Sequence, residues 1–299
     1  MRLPPPLAPG ARVALIAPSG PVRGPAALDV ALAQARSFGW EPVLGEHADA
    51  RLGYLAGTDA HRLRDLNGAL RDDSIDGIWC LRGGYGAMRL LEELDVDALR
   101  LRPRAVIGYS DITALHAALG DAAGVVTYHA PHAGTDLSAF SRDSFERAVV
   151  RQRDPCGVAT GARTLRPGVA EGRLVGGNLA VLAALSGTRF TPDYTGAILV
   201  LEDIGEPTYR IDRMLRQLAL SGVLSRVAGI AYGQFTDGTA SGDANSLDLD
   251  DVLREAAAIA GVPAIAGIPL GHIGDQWTIP LGAVAELDAD RLTLHVALA

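Results

Sequence analysis

The sequence predicts an α/β protein whose N-terminal domain is a parallel sheet covered by helices and whose C-terminal domain mixes strand directions. Three observations carry this. The first 130 residues alternate short apolar runs with helix-like segments, the spacing of βαβ units. The chain has 299 residues, more than one apolar core usually holds. Strand-like runs also become more frequent towards the C-terminus.

Strands are expected at 13–18, 41–45, 77–82, 105–109 and 124–129, with helices at 26–38, 59–71, 87–95 and 111–120. These elements make up a first domain, 1–134. Residues 135–170 show no sustained period and are punctuated by Gly and Pro, which marks a linker. The second domain, 171–299, resumes with GRLVGGNLAVLAALSG (172–187) and an apolar strand at 197–203. An amphipathic helix at 209–221, a strand at 227–233, a helix at 248–260 and strands at 264–268, 283–288 and 291–297 follow. Ligands on parallel sheets sit beyond the carboxyl ends of the strands, so chemistry is expected there.

Composition excludes several classes. With 48% hydrophobic and 21% charged residues the chain can bury a core. A formal charge of -8 argues against a nucleic-acid partner, which calls for a basic face. All 27 basic residues are arginine. Schiff-base and pyridoxal-phosphate chemistry, Ser–Lys hydrolysis and P-loop nucleotide binding therefore fall away, because each needs a lysine amine. Two cysteines, Cys80 and Cys156, are too few for a disulfide framework or a cysteine metal site. The Pro-rich start does not read as a signal peptide and no apolar run is long enough to span a membrane. The expected address is the cytoplasm, with no membrane partner.

The segment AVIGYSDITALHAAL (105–119) runs from strand to helix through Ser110. A serine on such a turn exposes its hydroxyl above the sheet, beside the free amides of the new helix. That suits a nucleophile whose oxyanion the next amide stabilises. The alternative is a plain helix N-cap, and Ile112 stands where a nucleophile elbow has its second glycine. The preceding strand leads into RGGYG, where Gly83, Gly84 and Gly86 allow close backbone approach to a ligand and a second oxyanion donor. A dinucleotide site is disfavoured, since the G-x-G-x-x-G spacing is missing.

A serine nucleophile needs a base and an orienting acid. His272 lies in a Gly- and Pro-bounded loop with no periodicity to explain it, slightly ahead of His129 and His132 at the end of a strand. His116 is expected to pack within its helix, and His47 and His61 to be solvated. For the acid, Glu202 and Asp203 end an apolar strand with Glu206 just beyond. Spacing leaves the choice among these open.

Taken together, the chain resembles the LD-carboxypeptidase family of serine peptidases over essentially its whole length. Six blocks carry the resemblance: IAPSGP (16–21), RGGYGAMRLL (82–91), IGYSDITALH (107–116), GGNLAVLAALSGT (176–188), LEDIGEPTYRIDRMLRQL (201–218) and GHIGDQWTIPLGA (271–283). The resemblance implies a flavodoxin-like N-terminal domain, a smaller α/β C-terminal domain and a triad working without metal or cofactor. By position it makes Ser110 the nucleophile, Glu202 the relay acid and His272 the base, with the amides of Asp111 and Gly84 as the oxyanion hole. It also implies a homodimer and a small peptide substrate, a murein tetrapeptide that loses its terminal D-Ala in cell-wall recycling. Arg82 and Arg210 are candidates for the substrate carboxylate. The family's other branch hydrolyses peptidyl-nucleotides of the microcin C type, and no nucleotide-binding loop is recognisable here. HAPH (129–132) departs from the family's HGPM-like stretch, which leaves His129 and His132 without a role. A non-catalytic two-domain binding protein is the rival from another class; it accounts for a cleft but not for a serine, an acid and a histidine in three family blocks.

Overall fold

The computed structural model describes residues 1–238 and 246–298. Its first part runs β1 (Arg12–Ile16), α1 (Pro25–Ser37), β2 (Glu41–Leu44), α2 (Asp59–Arg71), β3 (Gly77–Cys80), α3 (Val96–Leu101), β4 (Ala105–Gly108), α4 (Thr113–Ala123) and β5 (Thr127–His129). Every residue of β3 and β4 is buried, as strands covered on both faces must be. Local chemistry sets the helix ends. Pro25 opens α1, the Thr58 hydroxyl accepts from the His61 amide ahead of α2, and Gly124 closes α4 in the left-handed conformation.

The helix expected over 87–95 is a 3-10 segment, Ala87–Glu93, and a separate helix, α3, follows it. The break has a local cause. The Asp95 side chain accepts from the Ala98 amide and caps a new helix, after Leu94 has turned extended.

The second part runs α5 (Ala139–Phe145), β6 (Gly157–Val158), β7 (Arg163–Arg166), β8 (Val169–Asn178), α6 (Leu179–Leu185), β9 (Ile198–Ile204), α7 (Thr208–Leu220), β10 (Gly229–Thr236), α8 (Leu249–Ala260), β11 (Ala264–Ala266), β12 (Ile279–Leu281), β13 (Val284–Asp288) and β14 (Thr293–Ala297). The unpatterned stretch 135–170 thus holds α5 and two short strands, which pair at the two edges of the second sheet. Strands of two and four residues are too short to print a period.

The first sheet has the order β12-β5-β4-β3-β1-β2, parallel except that β12 pairs antiparallel with β5. One of its two edge strands therefore comes from the C-terminal stretch. Strand order reverses between β1 and β3, and the carboxyl ends at such a switch point are where open α/β sheets hold their ligands. IAPSGP and RGGYG are the loops that follow these two strands.

The second sheet, β6-β14-β13-β8-β9-β10-β11-β7, is parallel from β8 to β11 and antiparallel outside. β8 joins both regimes: residues 169–173 pair with β13 and 174–178 with β9. Within the parallel register Gly176 (φ 150°) is required to be glycine, since a Cβ there would lie 1.9 Å from the Val200 carbonyl oxygen. One apolar cluster spans both parts, from Val13, Trp79 and Ile107 through Trp277 and Ile279 to Val200 and Leu287. The loop carrying His272 is thereby anchored to both sheets.

Candidate active site

β4 ends at Gly108, and Tyr109 continues extended into Ser110, whose φ of 62° is the left-handed region that a side chain rarely occupies. Ser110 then opens a 3-10 turn, Ser110–Ile112, that leads into α4. No side-chain capping bond is made at either helix start, so Ser110 is not the N-cap that its sequence position allows. Asp111 is second in this turn, where amides lack partners within the turn.

Three loops are tied together beneath this turn. The buried Asp111 carboxylate accepts from the Ser19 hydroxyl in the IAPSGP loop and from the Ala87 amide, 2.8 Å away, after RGGYG. Burial pushes the Asp111 carboxyl above its ordinary range, against the pull of these donors. The buried Arg62 guanidinium donates to the Pro18 carbonyl at 2.6 Å and the Gly86 carbonyl at 2.8 Å, clamping the same loops. The Gly20 amide donates to the Gly83 carbonyl at 2.9 Å. RGGYG consequently faces the serine: a Cβ on Gly83 would lie 2.9 Å from Ser110 Cβ and 3.1 Å from its Oγ.

Glu202, fully buried near the end of β9, accepts from His272 Nδ1–H at 2.8 Å through Oε2. Its Oε1 faces Asn178 Nδ2 at 3.3 Å. Asn178 also donates to Asp203 at 2.9 Å, and its amide donates to the Thr113 hydroxyl on α4 at 3.0 Å. It therefore links the acid to the helix that follows Ser110. Asp203 serves the backbone, accepting from the amides of Ala180 and Ile204, both at 2.8 Å. Burial, with Glu202 adjacent, pushes its carboxyl up to about 6 despite these donors. Glu206 pairs with Arg210 one helical turn on, at 2.7 Å.

Ser110, His272, Tyr109, His132, Arg82, Gly83 and Gly84 line one cavity of about 630 Å³. Among the described hydrogen bonds none joins Ser110 to His272; the shared cavity wall is what relates them. Arg82 donates to the Pro21 carbonyl at 2.6 Å, and its burial, with Arg23 and Arg51 nearby, lowers its pKa. Arg210 is half exposed, bound to Glu206, and not part of the cavity wall.

The remaining histidines separate by environment. His132 lines the cavity, whereas His129 is wholly buried with neither ring nitrogen partnered among the described residues. His116 donates from Nε2 to the Gly108 carbonyl at 2.8 Å, which ties α4 back to β4. His47 and His61 are not simply solvated: their rings stack at 4.2 Å and His47 contacts Asp65 at 2.9 Å. Burial lowers His116 to about 4, His132 to about 3, and His129 well below its ordinary value. An imidazole neutral when folded but protonated when unfolded destabilises the fold as pH drops below about 6.5. The three together should take up nearly three protons on unfolding near pH 5, and the urea midpoint should fall steadily from pH 7 to 4.5. A flat midpoint over that range would count against their neutral burial.

Sequence reasoning passed over the side chains of Ser19, Arg62, Asp111 and Asn178. Their contacts reach 24 to 92 positions along the chain, and no local pattern reports such distances. Among the described residues no cluster of His, Cys, Asp or Glu is arranged to hold a metal, and no helix is long and apolar enough to cross a membrane. Cys80 and Cys156 are free and buried, and burial pushes both thiols up.

Residues 13–130 match the LD-carboxypeptidase N-terminal domain, and residues 171–287 the LD-carboxypeptidase C-terminal domain. A murein tetrapeptide carboxypeptidase of Pseudomonas aeruginosa is 37% identical over 301 residues, covering 94% of each chain. The crystal structure of a muramoyltetrapeptide carboxypeptidase from Oxalobacter formigenes superposes with a TM-score of 0.86 at 32% identity, covering 96% of this chain and 98% of that one. An MccF-like protein from Bacillus anthracis shares the fold, with a TM-score of 0.89 at 24% identity and full coverage of both chains.

Proposed function

The chain belongs to the LD-carboxypeptidase family, and from that premise we propose that it is a serine carboxypeptidase releasing the terminal D-Ala of murein tetrapeptides. The observation that carries the proposal is the Glu202–His272 pair at 2.8 Å, whose histidine lines the cavity that also holds Ser110 on its left-handed turn. With Nδ1–H given to Glu202, the other imidazole nitrogen is free to accept a proton.

In this mechanism the Ser110 hydroxyl attacks the scissile carbonyl while His272 Nε2 takes its proton. The amides of Asp111 and Gly84 receive the oxyanion. His272 then protonates the leaving D-Ala amine as the C–N bond breaks, and a water, deprotonated by the same imidazole, releases the acyl group and regenerates Ser110. Glu202 orients the ring throughout and stabilises its cationic form. Arg82 suits the carboxylate of the leaving residue; Arg210, engaged with Glu206, does not. A role in cell-wall recycling, a cytoplasmic location and a homodimeric state belong to the same reading and rest on the family alone.

Incubation with a murein tetrapeptide should liberate D-Ala and the tripeptide, with and without a chelator. A peptidyl-adenylate offered in parallel should be cleaved far more slowly. Preference for the adenylate would move the enzyme to the microcin C branch, and cleavage of neither would defeat the substrate assignment.

A further inference from the structure

The geometry points to His132 as a positioning residue: its Nε2–H, by holding the Tyr109 carbonyl, keeps Ser110 aimed into the cleft. This inference rests on the reading of Ser110 as the nucleophile.

His132 follows β5 on a loop tied to neighbouring strands at three points and closed by one turn of its own. The Ala130 amide donates to Gly108 at 3.1 Å and the Ala133 amide to Cys80 at 3.0 Å. The buried Trp79 indole donates to the Pro131 carbonyl at 2.8 Å, and the Thr135 amide to the His132 carbonyl at 3.1 Å. The imidazole is thus carried on a rigid support, 5% exposed, at the cavity wall.

Its Nε2 lies 3.0 Å from the Tyr109 carbonyl oxygen and 3.4 Å from the Tyr109 amide nitrogen. One nitrogen cannot donate to the first and accept from the second. We assign the Nε2–H tautomer on the shorter contact. The same carbonyl accepts from the Ile112 amide at 3.2 Å, the bond that closes the turn around Ser110. It is therefore held from within the turn and from the neighbouring strand's loop. A left-handed serine persists only where its surroundings over-determine it, and His132 supplies the constraint from outside the turn.

The ring also acts sideways. It lies 4.3 Å from the Tyr109 ring, whose centroid is 4.8 Å from that of His272. One imidazole thus braces the serine through the backbone and the base through the tyrosine. Burial keeps His132 neutral down to about pH 3, with His272, Arg82 and His116 as its titratable and charged neighbours. It contributes a hydrogen bond of fixed direction, and no charge that titrates with the catalytic groups.

The test compares wild type with His132→Leu and His132→Gln, the glutamine carrying an N–H near the reach of Nε2. His132→Leu should lower both kcat and the rate of Ser110 labelling by a serine-directed phosphonate about 10- to 100-fold. KM should stay within about twofold, and the acid limb of the pH profile should not move. His132→Gln should restore most of the labelling rate. Full reactivity in the leucine variant, a loss confined to KM, or glutamine no better than leucine would each overturn the role. If the leucine variant does not fold, His132→Gln against His132→Asn decides, because the shorter amide cannot reach the carbonyl; equal rates overturn the inference. Absence of labelling in wild type would remove the Ser110 reading and this role with it, and is recognised before any variant is made.

Discussion

Ser110→Ala should abolish turnover of the tetrapeptide, with a loss of roughly a millionfold in kcat, while leaving the fold intact. The loss is complete because no other hydroxyl occupies the left-handed position between Tyr109 and Asp111. The fold survives because the hydroxyl makes no capping bond and alanine carries the same Cβ into the same φ, so the backbone strain is unchanged. The thermal midpoint should therefore stay within a few degrees of wild type. A variant that still hydrolyses the substrate robustly would remove Ser110 from the chemistry, and one that fails to fold would show that the hydroxyl supports the turn.

Glu202→Gln should cost roughly 10³- to 10⁴-fold in kcat/KM. Loss of charge is only part of the reason. Oε1 faces the Asn178 amide donor at 3.3 Å, whereas Oε2 faces His272 Nδ1 at 2.8 Å. A glutamine at this position keeps its oxygen towards Asn178 and turns its NH₂ towards His272. Nδ1 must then accept, the ring proton moves to Nε2, and the imidazole cannot take a proton from Ser110. The bond count is preserved and the tautomer is inverted. A loss below tenfold would mean that Glu202 does not control the base.

Much of this site was legible in the chain. Apolar runs ending in Gly108–Tyr109–Ser110 and in Leu201–Glu202 announced strand ends, and strand ends are where parallel sheets hold their chemistry. The lack of lysine by itself removes whole mechanisms. Spacing alone, however, could not separate Glu202 from Asp203 and Glu206, or His272 from His129 and His132. Resemblance to the family ranked them, and the contacts supply the physical distinction. Asp203 is taken by the amides of Ala180 and Ile204, Glu206 by Arg210, and His129 is sealed within the core.

What the sequence determined by itself was the α/β class, the serine on a strand-to-helix turn and the resemblance that named its partners. Those follow from period, turn chemistry and motif, all of which are written locally. Only the tertiary structure decided that β12 returns to edge the first sheet, that Asp111 and Arg62 knot three loops beneath the serine, and that His132 holds the Tyr109 carbonyl. Each of these is a contact between distant segments, fixed because buried polar groups must find partners within the fold. A linear pattern records which groups need partners; packing chooses them.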